Sequence, residues 1–177
     1  MMADDDCPLR ELVGAFAAVD VYYPRSGGAR AAVVLASDAT FATVVSTATT
    51  FIPTTVPYES GEFYRRELPA MSAVLDGITN IDLLVIDGYV DLDPAGRPGL
   101  GTYAHKEFDT PVIGVAKSHF RTATHAIPVM RGLSRRPLFV TAVGIPLPDA
   151  AQLVGEMAGD HRIPDALRLV DNLTRQD

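Results

Sequence analysis

The sequence predicts a mixed α/β fold in which three antiparallel strands come first and parallel strands flanked by helices follow. Three segments rich in Ala, Val, Phe and Thr open the chain, at residues 14–22, 30–37 and 41–50. Helical spacing then alternates with short apolar runs, which is typical of parallel strands. With 177 residues, 47% of them hydrophobic, the chain suits one domain over residues 1–177 with a substantial core.

The first three strands are expected to form an antiparallel meander. Short breaks separate them, one over residues 24–28 and another at Ser37 and Asp38. Breaks of this length allow neighbouring strands to reverse direction and pair.

The first helix is predicted from four apolar residues at helical spacing, Leu68, Met71, Leu75 and Ile78. Gly77 is typical of a helix stop. Because proline is accepted in a first turn but disrupts a helix interior, Pro69 predicts that the helix begins near Leu68. Glu67 would then lie at its N-terminal entrance.

The second half of the chain alternates strands and helices. We expect a strand at 82–87, a Gly- and Pro-rich loop, a short helix at 99–107 and a strand at 111–116, the two strands being parallel. A strand at 137–143 and helices at 148–158 and 163–174 follow. This order is that of a ribonuclease H-like mixed sheet flanked by helices. Such a fold places Asp20 of the first strand near Asp87 of the fourth.

Two carboxylates interrupt apolar strands. Asp87 ends the run Ile81-Asp-Leu-Leu-Val-Ile-Asp, and Asp20 follows Ala15-Phe-Ala-Ala-Val. Burying an unpaired carboxylate costs several kcal/mol or more. The two acids therefore suggest one shared positive partner, and a hard divalent cation at the strand ends fits. The alternatives are an Asp-Gly turn for Asp87 and a turn cap or an arginine partner for Asp20.

Charge gives a mixed indication about partners. A net charge of −7 disfavours nucleic-acid binding, since Lys and Arg make the phosphate contacts. Between Asp109 and Asp149, however, there is no acidic residue. The same window holds Lys117, His119, Arg121, His125, Arg131, Arg135 and Arg136. One side of the molecule is therefore expected to be basic, with Arg121 a candidate substrate-binding residue; the alternative is accidental clustering on a solvated surface.

Composition also bears on location. No apolar run reaches the roughly 18 residues of a membrane span. The N-terminus, Met1-Met-Ala-Asp-Asp-Asp6, is acidic and lacks the pattern of a secretory signal, and Cys7 is the only cysteine. We expect a protein of the reducing cytoplasm, with no membrane partner.

Six stretches, taken together and in order, resemble the Endonuclease V family over nearly the whole chain. They are Ala18-Val-Asp20-Val-Tyr22, Pro57-Tyr58 with Gly61 and Tyr64-Arg-Arg-Glu67-Leu-Pro-Ala70, Val85-Ile-Asp87-Gly88, Gly99-Leu-Gly101, Pro111-Val-Ile-Gly-Val-Ala-Lys117-Ser118, and His161-Arg-Ile-Pro-Asp-Ala-Leu-Arg168-Leu-Val-Asp171. Each stretch alone is weak, and their joint occurrence is specific.

The resemblance implies a metal-dependent endonuclease that cuts near deaminated adenine, as deoxyinosine in DNA or inosine in RNA. It implies that Asp20, Glu67 and Asp87 bind Mg²⁺ or Mn²⁺ and that Asp171 completes the acidic set. Lys117 would lie close to the scissile phosphate. These residue types suit the chemistry, because carboxylates hold hard cations and a lysine neutralises charge that develops on phosphoryl oxygens.

The resemblance also implies that Tyr58 enters the strand beside the lesion and that Gly88 lets the backbone approach an extruded base. Simpler roles remain open for several residues. Glu67 could be only a favourable anion near a helix N-terminus, and Asp171 a solvated helix residue. Lys117 could be an ordinary surface lysine, and Tyr58 could serve packing alone.

The chain departs from the family pattern where the substrate is contacted. Glu59 and Ser60 replace the aliphatic residue and proline that usually follow Pro-Tyr, and Asp93 replaces a histidine. An anionic Glu59 is repelled by phosphates. These departures motivate a second hypothesis, a catalytically impaired homologue that acts as a nucleic-acid or protein-binding module.

Overall fold

The structure is a computed structural model that describes residues 15–176. The acidic N-terminus, Cys7 and residue 14, where the first strand was predicted to begin, lie outside the described residues. Residues 15–176 form seven strands and four helices.

A seven-stranded mixed sheet forms the centre of the molecule, in the order β3-β2-β1-β4-β5-β7-β6. β1 is parallel to β4, and β4 is parallel to β5, whereas the other neighbours are antiparallel. The strands are β1 (Ala15–Tyr22), β2 (Ala29–Ala36), β3 (Val44–Ile52), β4 (Ile81–Asp87), β5 (Val112–Ala116), β6 (Ile127–Val129) and β7 (Leu138–Val143).

Four helices cover the two faces of the sheet. α1 (Tyr64–Leu75) and α2 (Leu100–Phe108) pack on one face, and α3 (Leu147–Glu156) and α4 (Asp165–Thr174) pack on the other. Each face has its own apolar core, because alternate strand residues point to opposite sides. The parallel central strands therefore end together at one edge of a three-layer structure, where ligands bind in open α/β sheets.

The predicted order of elements is confirmed, including the parallel pairing of the strands at 82–87 and 111–116. Predicted strand bounds agree with the observed ones to within a few residues. The sequence did not predict β6, since three residues are too short to show an alternating pattern.

The predicted start of the first helix is wrong. α1 begins at Tyr64, because the chain already turns there and the N–H of Arg65 donates to the carbonyl of Glu62 at 3.0 Å. Pro69 is inside the helix, and its missing N–H forfeits only a bond to the carbonyl of Arg65 near the helix start. Glu67 consequently lies in the first turn rather than before the helix.

No helix within residues 15–176 combines the length and apolar character that a membrane crossing requires.

Arg131, one of the residues of the predicted basic side, is not a surface residue. It is 5% exposed, and its guanidinium donates five hydrogen bonds of 2.8 to 3.3 Å to backbone carbonyls. The accepting residues lie at the end of α3 and in the loop that follows it: Val154, Gly155, Met157, Gly159 and His161. Arg131 thus joins this loop to the rest of the fold by satisfying carbonyls that the helix end leaves open.

Replacing Arg131 by methionine is expected to lower the free energy of unfolding by about 3–5 kcal/mol, because five carbonyls lose a buried charged donor. Urea denaturation followed by circular dichroism measures the change. The matched control is Arg135→Met, at an exposed arginine nearby, which should change stability by no more than about 0.5 kcal/mol. Equal effects of the two substitutions would contradict the structural role of Arg131.

Candidate active site

Asp20 and Asp87 meet at the edge where the central parallel strands end. Val19 of β1 is in register with Ile86 of β4. The next residues along the two strands, Asp20 and Asp87, are therefore neighbours, as predicted, and both are half-buried. Main-chain pairing alone brings these two negative charges side by side.

Glu67 reaches the same place from the helix above. α1 packs against β1 and β2, and Glu67 is only 7% exposed. Burial, together with the nearby charges of Asp20 and Asp87, raises the pKa of Glu67 to about 8. The structure thus brings together the three acids that the sequence singled out.

The pKa of Asp20 is raised by the same two causes, burial and neighbouring negative charge. Burial raises its pKa to about 6, with the charge of Asp87 as the next cause. Neither Asp20 nor Glu67 forms an ion pair with a lysine or arginine in the described part of the chain. Without a cation nearby, Glu67 therefore holds its proton at neutral pH, and Asp20 takes up a proton at a higher pH than an ordinary aspartate does.

Lys117 supplies the positive charge closest to this site. It follows β5 directly, and Val115 of β5 is in register with Asp87 of β4. The Nζ atom of Lys117 donates to Oδ2 of Asp87 at 2.7 Å. Burial lowers the pKa of Lys117, but the hydrogen bond and charge of Asp87 outweigh burial and leave that pKa raised. Lys117 is therefore charged and is paired with one of the three acids.

Arg162 holds the backbone of Lys117 in place. Its guanidinium donates to the carbonyl of Lys117, to that of Pro137 at 2.9 Å and to that of Arg136 at 3.0 Å. These bonds tie the end of β5 to the entrance of β7. Arg162 was not predicted to be functional and stands in the sequence only within the stretch from His161 to Asp171. Bonds from a side chain to distant carbonyls leave no periodic or compositional signal.

Asp171 lies on α4 beside the acidic set. Its charge contributes to the raised pKa of Asp20, after burial and Asp87. Asp171 also has a partner of its own, since Oδ1 accepts from Arg175 at 3.1 Å and Arg175 lies over the ring of Tyr22 at 4.7 Å. It is the one acid of the predicted set that is neutralised by an arginine.

A pocket of about 480 Å³ opens beside Asp87. Tyr58 and Gly88, two of the three residues predicted to contact substrate, both line it. Tyr58 is 63% exposed, so it does not serve core packing. Arg121 does not line the pocket; it is exposed and follows Phe120, which does.

The departures from the family pattern lie around this pocket. Glu59 is exposed next to Tyr58, where a charge has no burial penalty. Asp93 organises its own loop, because Oδ1 accepts from the N–H groups of Ala95 at 3.0 Å and Arg97 at 3.1 Å. Asp93 is thus a structural cap of its own loop.

The acidic set fits a divalent cation by its donor chemistry, although it is not arranged as a finished site. Within residues 15–176, no three Asp, Glu, His or Cys side chains are already arranged to hold one ion. The ammonium of Lys117 is bound to Asp87 instead, and like charges keep carboxylates apart when no cation joins them. Carboxylate oxygens from Asp20, Glu67 and Asp87 are nevertheless the ligands that Mg²⁺ and Mn²⁺ prefer.

Sequence comparisons identify the family. The Endonuclease V family model matches residues 3–172. The chain belongs to the Endonuclease V family. Endonuclease V of Azotobacter vinelandii is 31% identical over 182 residues, covering 91% of this chain and 82% of that protein. Endonuclease V of Nostoc punctiforme is 27% identical, covering 93% and 84%.

Solved Endonuclease V structures share the fold. The crystal structure from Streptomyces avermitilis has a TM-score of 0.76 at 28% identity, covering 92% of this chain and 80% of that one. Endonuclease V of Ciona intestinalis, solved with a 24mer DNA containing an inosine followed by a ribo-adenosine, has a TM-score of 0.77 at 20% identity, covering 91% and 84%. The predicted ribonuclease H-like mixed sheet is confirmed.

The raised pKa values of Asp20 and Glu67 make a prediction about stability. A carboxyl group whose pKa is higher in the folded state stabilises the fold fully below its unfolded pKa, near 4, and this contribution is lost as pH rises through the folded pKa. The metal-free protein should therefore become less stable between about pH 4 and pH 8. Thermal melts in EDTA across this range measure the trend.

Glu67→Gln should flatten the pH dependence and raise the melting temperature at pH 8, because the buried charge is removed. The matched control is Glu107→Gln, at an exposed glutamate of α2, which should leave the dependence unchanged. A wild-type melting temperature that rises from pH 5 to pH 8 in EDTA, with no flattening in Glu67→Gln, would contradict the burial of an unpaired acid.

Proposed function

We propose that the chain, acting as one domain over residues 1–177, is a divalent-metal-dependent endonuclease that hydrolyses a phosphodiester bond near deaminated adenine. The substrate is nucleic acid containing hypoxanthine, as deoxyinosine in DNA or inosine in RNA, and the role is repair or processing. Membership of the Endonuclease V family supports the reaction class. The Ciona intestinalis relative, solved with inosine-containing DNA, supports the substrate class.

The observation that carries the proposal is the convergence of three carboxylates from separate elements. Burial and the charge of Asp87 of β4 raise the pKa of Asp20 of β1, and burial with the charges of Asp20 and Asp87 raises that of Glu67 of α1. Folding alone does not require this arrangement, since unpaired buried carboxylates destabilise it. We propose that these residues, with Asp171, hold Mg²⁺ or Mn²⁺. Such a cation supplies Lewis acidity and charge neutralisation at a phosphoryl group.

Lys117 has the complementary role. Its ammonium group is at the edge of the acidic set, and its backbone is fixed by Arg162. When a phosphodiester enters, Lys117 can exchange Asp87 for a phosphoryl or leaving-group oxygen and stabilise the negative charge that develops there.

The pocket next to Asp87 is the proposed site for the extruded base. Its wall carries the aromatic rings of Tyr58, Tyr64, Tyr89 and Phe120, which suits stacking of a flipped base. Gly88 has a φ of +133°, and a Cβ at this position would project into open space. Glycine therefore permits the backbone conformation and leaves the space free for the base.

Cleavage of a labelled oligonucleotide tests the proposal. With Mg²⁺ or Mn²⁺, the folded protein should nick a deoxyinosine DNA, an inosine RNA or both, and leave the adenine versions intact. Asp87→Asn should lower the rate by about 10²-fold or more, because charge stabilisation at the phosphoryl group is lost.

The matched control is Asp82→Asn, at an exposed position near the other end of β4, which should cleave like the wild type. Folded wild-type protein that cuts neither substrate with either metal would refute the proposed activity.

The second candidate function is that of a binding module that has lost nuclease action, and the exposed Glu59 beside Tyr58 favours it. Metal binding separates the two candidates. Isothermal titration with Mn²⁺ should show binding to the wild type, about 10-fold or more weaker in Asp20→Asn, because a carboxylate ligand is lost. A wild type that binds no Mn²⁺, or an Asp20→Asn variant that binds as well as the wild type, would favour the binding module.

A further inference from the structure

The wall of the 480 Å³ pocket carries one cationic side chain among the described residues. Apart from Asp87, Arg97 is the only charged residue that lines it. The rest of the wall is aromatic, aliphatic, glycine, proline or serine. Arg97 is exposed at the mouth of the pocket, and a cationic group on a wall that is otherwise uncharged apart from Asp87 can help to decide which ligand atoms are accepted.

Arg97 is held in place from both sides. Its backbone N–H donates to Asp93 at 3.1 Å, and its carbonyl accepts from the N–H of Leu92 at 2.8 Å. Its side chain pairs with Asp93 through Nε at 3.6 Å and donates through Nη2 to Oγ1 of Thr122 at 3.2 Å. These contacts leave N–H groups of the guanidinium without a partner in the described part of the chain. The guanidinium fork of Arg97 is therefore tethered and still has N–H groups available to bind a ligand.

The chemistry of deamination matches this fork. Replacing the 6-amino group of adenine by a carbonyl converts a hydrogen-bond donor into an acceptor. O6 and N7 then form an adjacent acceptor pair like that of guanine, which Arg binds with two parallel hydrogen bonds. Adenine offers N7 but turns the N–H donors of its amino group toward those of arginine, so one bond is lost and a donor is left unpaired.

We propose that Arg97 is a specificity-determining residue, whose guanidinium donates to O6 and N7 of an extruded hypoxanthine and disfavours adenine. This inference rests on the proposed function, in which the pocket receives the extruded base. Asp93 and Thr122 are then positioning residues for Arg97. This role would explain why the chain has an aspartate at position 93, where it departs from the family pattern.

Binding measured without cleavage tests the proposal. Single-stranded oligonucleotides identical except for one deoxyinosine, deoxyadenosine or 7-deazadeoxyinosine are titrated in EDTA, and fluorescence anisotropy gives their dissociation constants. The wild type should prefer deoxyinosine to deoxyadenosine. Arg97→Ala should reduce this preference by about 5- to 100-fold, the discrimination typical of one bidentate contact.

Further variants separate base recognition from loss of charge or of folding. Arg97→Gln should shift the preference toward deoxyadenosine, because an amide pairs with the amino group and N7 of adenine. Thr122→Val keeps the charge of Arg97, removes one hydrogen bond to its guanidinium and should give a smaller loss of preference.

Replacing deoxyinosine by 7-deazadeoxyinosine removes N7, which should weaken binding to the wild type but not to Arg97→Ala. Lys106→Ala, at an exposed residue near the far end of α2, should behave like the wild type.

The inference is overturned if the wild type binds deoxyinosine and deoxyadenosine equally, or if folded Arg97→Ala keeps both the preference and the 7-deaza effect. Circular dichroism and thermal melts establish that the variants are folded. Cleavage with Mg²⁺ is measured separately on the same oligonucleotides. Its absence in the wild type would refute the proposed function, whereas the binding ratios would still decide the role of Arg97.

Discussion

The central constraint in this structure is that the fold buries acidic side chains close to one another at one edge of the sheet. Parallel pairing of β1 with β4 sets Asp20 beside Asp87, and the packing of α1 adds Glu67 from above. Burial and neighbouring charge raise the pKa of Asp20 to about 6 and that of Glu67 to about 8. Positive charge at this edge of the sheet would therefore stabilise the ionised carboxylates.

Two kinds of positive charge can stabilise these carboxylates. Lys117 already pairs with Asp87, and Arg162 holds the backbone from which Lys117 projects. A divalent cation would stabilise the remaining carboxylates and would release Lys117 to contact a phosphodiester. Stability and metal binding are therefore linked, because the carboxylates that destabilise the metal-free fold are those that would hold the metal. The pocket that includes Arg97 has only Asp87 in common with these three acids, so the proposed recognition of the base uses largely separate residues.

Much of the fold and of the acidic site could be predicted from sequence, for identifiable reasons. Asp20 and Asp87 stand out because they interrupt apolar strands, and the order of elements places strand ends together. The start of α1 was missed because Pro69 lies where a proline forfeits only one bond near the helix start. Arg131 and Arg162 bind distant carbonyls, and such contacts depend on tertiary structure alone. The count of basic residues therefore misplaced Arg131 on the surface.

The most direct test of the account is the anomalous diffraction of crystals soaked in Mn²⁺. We expect a peak among the carboxylate oxygens of Asp20, Glu67 and Asp87, at roughly 2.0–2.2 Å from the ligating atoms, with Lys117 moved away from Asp87. No peak at this edge of the sheet, with Lys117 still bound to Asp87 at saturating Mn²⁺, would contradict it.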